Sequence, residues 1–188
     1  MKFHRIFAPQ DFLIAVHWEN NIPDEFSRLF EEWTDLDFLE NFFYENKNDL
    51  NSKFWQGISI EKAVFRTIRE ALTFRKTFVD LVEIHPANRI SHLKSIFKPL
   101  KSSAENPSNL LRTKAYGTTM ASWLRLYAIK VDSNMYIITG GSIKLTQRME
   151  DRKHTMQELI KLDMCREFLR SEGIFDEAGM VEFLESEF

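Results

Sequence analysis

The chain has 188 residues, 44% of them hydrophobic and 17 of them phenylalanine, with a net charge of −3; this suits one folded domain with elaborations and excludes a fibrous or low-complexity chain. The single cysteine, Cys165, excludes an internal disulfide and a cysteine zinc site, and its amphipathic surroundings read as those of a buried thiol. No apolar run approaches the roughly 20 residues of a membrane helix, and the start MKFHRIFAPQ lacks the apolar core of a secretory signal, so a cytoplasmic protein is expected.

KFHRIF alternates Phe3 with Arg5 and predicts a short opening strand ended by Pro9. In IPDEFSRLFEEW, Pro23 suits a first helical position, Asp24 and Glu25 favour the positive helix end, and Phe26, Leu29, Phe30 and Trp33 share one face. A second helix is expected from Thr34 or Asp35, with a stripe of Phe38, Leu39, Phe42 and Phe43. The longest periodic run predicts a third, with Ile60, Val64, Ile68, Leu72, Val79 and Val82 at helical spacing until Pro86 stops it.

From about residue 94 the period changes. LKSIFKPL reads as short and extended, SSAENPSN as a polar loop, and LLRTKAYGTTMASWLRLYAIKVD as two strands about a turn near Gly117. DSN is a hairpin turn leading into MYIITGGSIKLTQ. Thr155 and Glu158 form a capping box that predicts a helix with Met156, Ile160, Met164 and Phe168 inward, stopped at Gly173 with Ile174 packing back. An acidic tail, 173–188, closes the chain.

The charge is distributed in blocks. Residues 19–50 carry ten acidic and two basic side chains, residues 94–154 eleven basic and four acidic, and residues 155–188 nine acidic and three basic. A basic block between acidic ones is the footprint expected of a nucleic-acid contact; equally, the blocks can pair with one another across the fold. Within the basic block, strand alternation places Arg125 with Trp123 and Tyr127 on one face and Leu124, Leu126 and Ala128 on the other. The first face, beside Arg112, Lys114 and Lys144, suits phosphate binding and base stacking, or else is a solvated face whose cations pair with carboxylates.

The opening strand, the helices, LLRTK, then WLRLYAIKVDSNMYIITGGSIKLTQ and a final helix resemble the RelE/ParE toxin superfamily, in particular its HigB-like branch, most strongly over residues 94–170. The resemblance implies an α+β fold in which a small antiparallel sheet packs against helices. Here residues 20–85 would be a helical insertion, 94–172 the sheet and C-terminal helix, and the whole of 1–188 a single domain. It also implies a type II toxin that cleaves messenger RNA on the ribosome without a metal or other cofactor, restrained by a cognate antitoxin, a small helix-turn-helix protein. Carried over by position, the catalytic candidates are Lys114, Arg125, Lys144 and His154, and the RNA-binding candidates Arg112, Tyr127, Gln147 and Lys153. The long insertion, the tail, and Trp123 and Met149 in place of polar residues depart from the family pattern.

The chemistry would be in-line attack of a 2′-hydroxyl on the adjacent phosphate, with planar guanidinium groups holding two phosphate oxygens and a lysine countering the developing charge. His154 is either a general acid or base or a solvated residue ahead of a helix. His4, His17, His85 and His92 show no ligand spacing, so no metal is expected. TGGS lacks the rest of a phosphate-loop motif. The rival reading is a non-catalytic protein of the same fold that blocks a target such as DNA gyrase, or one that has lost nuclease activity.

Overall fold

The computed structural model describes residues 1–19, 23–100, 110–119 and 121–186. They form an α+β fold with six strands and seven α-helices: β1 (Lys2–Phe7), β2 (Gln10–His17), α1 (Glu25–Glu32), α2 (Leu36–Glu45), α3 (Lys47–Leu50), α4 (Ile60–Val79), α5 (Pro86–Ile96), β3 (Phe97–Pro99), β4 (Leu111–Tyr116), β5 (Leu124–Asp132), β6 (Met135–Ile143), α6 (Lys153–Ser171) and α7 (Glu177–Ser186). None of the described helices is long and apolar enough to cross a membrane.

The strands make one sheet in the order β1-β2-β6-β5-β4-β3. Every neighbouring pair is antiparallel except β2 and β6, which run parallel, so the sheet is mixed rather than the antiparallel one expected. The difference arises at Pro9. Instead of ending the first strand for good, it sits in the turn of a hairpin, and Phe12–Val16 become a fully buried run inside the sheet. Such a run lacks alternation because helices cover both of its faces.

One face carries α1, α2, α4 and α5, whose Phe26, Phe30, Leu39, Phe43, Phe74, Phe78 and Leu93 pack with Leu13, Ile138, Leu124, Leu126 and Ala128. The other carries α6 and α7, with Leu162, Cys165, Leu169, Met180 and Leu184 against Ile14, Tyr127, Ile129 and Ile137. Cys165 is the buried thiol expected, and burial pushes its pKa up to about 12. The tail after Gly173 is helix α7, held by Met180 and Leu184; Gly173 itself, at φ +71°, ends α6, and Ile174 folds back to bond the Leu169 carbonyl.

Several expected inward faces turn out differently. On α6, Met156, Ile160 and Met164 are exposed, while Thr155, Glu158, Leu162, Cys165 and Leu169 face the sheet. On α4, Leu72 and Val79 are exposed, and Ala63, Val64, Thr67, Ala71, Phe74 and Phe78 are buried. Helix α1 begins two residues later than Pro23 suggested: Asp24 caps it by accepting from the Ser27 amide, while Asp35 caps α2. Residues 86–96, beginning with Pro86 at the first helical turn, are helix α5, so only Phe97–Pro99 of the expected extended stretch is strand. The polar stretch 102–109 lies outside the described residues.

Strand β6 is buried along its whole length. The register slips between Tyr127 and Ala128, whose partners are Gly140 and Ile138, so Thr139 is an extra residue that reverses the facing of everything after it. Gly140 consequently faces α6 and Gly141 faces α1. A Cβ on Gly140 would lie 1.8 Å from Glu158 Oε2, and one on Gly141 would lie 2.6 Å from the Arg125 carbonyl and 2.8 Å from Leu29. The missing side chains thus let a helix approach each face of the same dipeptide. Gly141→Ala, which meets backbone on one side, should cost about 1–3 kcal/mol in chemical denaturation.

Above Gly140, Glu158 shares Lys161 with Glu25 at 3.2 Å each, and Glu25 is also held by Arg28 at 2.8 Å. Burial pushes Glu158 up to about 7, with Lys161 opposing and Glu25 adding to the rise. The folded chain therefore holds this proton more tightly than the unfolded chain, whose carboxyl titrates near 4.5. The stability this gives is present at acid pH and is lost as pH rises through about 7, by roughly 3 kcal/mol. Glu158→Gln should flatten the pH dependence of denaturation between pH 5 and 7.5 and be at least as stable as the parent at pH 8.

Candidate anion-binding site

The alternation of β4 and β5 puts Arg112, Lys114 and Tyr116 on the same face as Arg125, Tyr127 and Ile129, as the pairs Tyr116–Arg125, Lys114–Tyr127 and Arg112–Ile129 require. This is the face that carries α6, so it is not open along its length. Tyr127 is completely buried, with its hydroxyl beside that of Ser142, and burial pushes it up to about 12. Trp123 does not share this face. It precedes the strand and packs into the opposite core against Phe43 and Trp55, where its indole donates to Thr67. Arg112, half-way under α6, pairs with Asp163 at 3.1 Å.

The face opens at the end where α6 contributes no wall. There a recess of about 310 Å³ is lined by Lys114, Tyr116, Arg125, Tyr127, Lys144, Gln147 and Met149. It shares Tyr116, Arg125, Lys144 and Gln147 with a larger cavity of about 800 Å³, whose far wall is Asn48, Asp49, Ser52, Phe54 and Trp55. Trp55 is fixed there by donating to the Leu145 carbonyl at 2.8 Å and by stacking edge-on to Trp123. Arg152 reaches from the start of α6 to Asp49 at 2.8 Å and ties the wall to the floor.

Arg125 lies 4.3 Å above the Tyr116 ring, and Lys114 approaches the same ring at 5.2 Å. Its Nη1 donates to the carbonyls of Ser122 and Leu124, which aims the guanidinium along the floor. Lys144 donates to the Thr146 and Gln147 carbonyls at 2.6 and 2.5 Å and so folds the segment after β6 back over the recess. Arg125, Lys144 and Lys114 make no salt bridge among the described residues.

The electrostatics follow from that geometry. Burial lowers the pKa of Lys144, and the positive charges of Arg125 and Lys114 lower it further, against weaker help from Asp151 and Glu150. Burial likewise lowers Arg125, with Tyr127, Tyr116 and Glu70 opposing. Cations that destabilise one another in a sheltered recess are relieved by an anion, so the arrangement suits an oxyanion such as a phosphate.

Of the eight residues singled out in the sequence, Lys114, Arg125, Tyr127, Lys144 and Gln147 come together here. Arg112 is paired beneath α6, Lys153 is exposed at the start of α6, and His154 is turned away, donating Nε2 to the Ile143 carbonyl at 3.0 Å with its ring edge-on to Phe42. Sequence reasoning missed Tyr116, Trp55 and Ser122. Tyr116 was within reach of it, two positions from Lys114 on the same strand face; Trp55 and Ser122 depend on tertiary packing.

The carboxylates Glu31, Glu32, Asp35 and Asp37 contribute nothing to the lining of either cavity; the acidic segment supplies only Asp49, which Arg152 neutralises. Arg125→Gln should weaken binding of a short single-stranded RNA by roughly ten- to a hundred-fold, the value of a charged hydrogen-bonding partner. The slope of log affinity against log salt should fall by about one charge, as measured by fluorescence anisotropy. Comparison of the chain with protein-family models, curated proteins and solved structures finds no match.

Proposed function

We propose that the chain is an RNA-binding toxin of the RelE/ParE type, acting as a ribosome-dependent messenger-RNA endoribonuclease and restrained by a cognate antitoxin of the small helix-turn-helix kind. The observation that carries this reading is the convergence of Arg125, Lys144 and Lys114, which make no salt bridge among the described residues, on one recess edged by aromatic rings. A recess of cations receives the phosphate; Tyr116 and Phe54, the exposed rings around the larger cavity, offer faces for neighbouring bases.

In the reaction, the 2′-oxygen attacks phosphorus, the bond to the 5′-oxygen breaks, and the products are a 2′,3′-cyclic phosphate and a 5′-hydroxyl. Arg125 holds the two non-bridging oxygens through its planar fork. Lys144 and Lys114, both as ammonium groups, counter the charge that develops on the phosphate; the 2′-hydroxyl proton leaves to water and Lys114 supplies one to the departing oxygen. His154 has no part in this scheme.

A second reading, a non-catalytic protein that blocks its target by binding, is favoured by the same position of His154: its imidazole is engaged by the Ile143 carbonyl and lines neither cavity. Expression of the chain alone in bacteria, with primer extension on cellular messengers, separates the two. Growth arrest with new 5′ ends at codon boundaries, both abolished by Lys144→Ala and Arg125→Ala, is the expected outcome. Arrest without new ends would establish the binding reading, and unimpaired growth at confirmed folded expression would overturn the toxin assignment altogether.

A further inference from the structure

The other end of the sheet carries a cluster that the cation recess does not use. In the β1–β2 hairpin Lys2 pairs with His17 and His4 with Ala15, so His4 and His17 are diagonal neighbours on one face of the edge strands. That face looks toward α1, and its N-cap Asp24 lies directly beneath: His4 Nδ1 is 3.5 Å from Asp24 Oδ2, and the two imidazole rings are 5.8 Å apart. One ligand atom from each of the three residues lies within 4.8 Å of the others.

We propose that His4, His17 and Asp24 form a binding site for a divalent first-row transition metal ion, with zinc as the fitting occupant. Two imidazoles and one carboxylate are a donor set suited to such an ion rather than to magnesium or calcium. Ligands about 2.1 Å from a tetrahedral zinc stand about 3.4 Å apart, which matches the separation of His4 and Asp24. The ligand atoms of all three residues lie within 4.8 Å of one another, and His4 is exposed, so its ring is free to adjust its own distances without disturbing the core.

The carboxylate is already oriented. Asp24 is buried, its Oδ1 accepts from the Ser27 amide at 3.0 Å, and its Oδ2 accepts from the Ser27 hydroxyl at 2.8 Å while facing His4. On the strand side, Trp18, the residue after His17, is pinned by its indole to the Thr139 carbonyl at 3.0 Å. Three protein ligands leave the fourth position to water, the pattern of an exchangeable rather than a closed structural site. The bound ion would clamp the edge hairpin to the start of α1, and it shares no residue with the recess on β4 and β5.

The test is a zinc titration of the tag-free full chain by calorimetry, repeated by following the visible bands of cobalt. One equivalent should bind, the cobalt spectrum should have four-coordinate intensity, and a hundred-fold excess of zinc over its Kd should raise Tm by about 5 °C. His4→Gln, at an exposed position, and Asp24→Asn, which keeps a capping oxygen for Ser27, should each weaken binding by at least about ten-fold. His92→Gln, on α5, should leave the titration unchanged. Absence of saturable zinc binding, or binding that survives the His4→Gln, Asp24→Asn double variant, would overturn the assignment; circular dichroism of the variants shows that they are folded.

Discussion

Everything in this molecule is arranged around a strand that has no exposed side. β6 is covered by α1 on one face and α6 on the other, and each helix approaches closely at one of two consecutive residues, Gly140 facing α6 and Gly141 facing α1, a facing that the bulge at Thr139 sets. Were either residue larger, one helix would have to move away from the sheet, and α1 and α6 are joined across the strand's end by Lys161, which bonds Glu25 and Glu158 together. A side chain one atom longer at this point would thus disturb both layers at once.

Helix α6 also decides which cations of the basic segment find a carboxylate. Where α6 lies over the β4–β5 face, a cation finds a carboxylate, as Arg112 does with Asp163, and the charge is structural. Where α6 provides no cover, Arg125, Lys114 and Lys144 have aromatic rings and carbonyl oxygens for company. The segregation of sign along the chain is therefore only partly resolved by pairing: Arg112 meets Asp163 of the C-terminal acidic block and Arg152 meets Asp49 of the N-terminal one, while Arg125, Lys114 and Lys144 make no salt bridge among the described residues.

Long-period helices and the β5–β6 hairpin were legible because local chemistry determines them: the Asp35 cap, the DSN turn and the Gly173 stop each act within a few residues. The alternation of Arg125 and Tyr127 was equally local and put both on the face of Arg112 and Lys114, although it also put Trp123 there, which packs into the opposite core. What alternation cannot tell is which of two faces a helix will cover, and so Tyr127 is core and Arg112 is paired. β2 was invisible because a strand buried on both sides has no period, and the histidine pair on its hairpin was hidden with it. His4 and His17 are thirteen positions apart in the sequence, and only the register of the β1–β2 turn makes them neighbours. The inward face of α6 misled for a related reason: a helix that meets a sheet with Thr155 and Glu158 inward carries polar groups where hydrophobic counting looks for methionines.

The walls of the large cavity come from segments far apart in the chain, near residues 48–55, 116–125 and 144–151, and the bonds that join them span 90 residues from Trp55 to Leu145 and 103 from Asp49 to Arg152. No fragment contains the cavity. During synthesis, the aromatic wall emerges first and waits without a floor until β6 and the start of α6 have followed it out, because contacts of such separation close late. The cavity comes into being only as residues 116–151 fold back on residues 48–55.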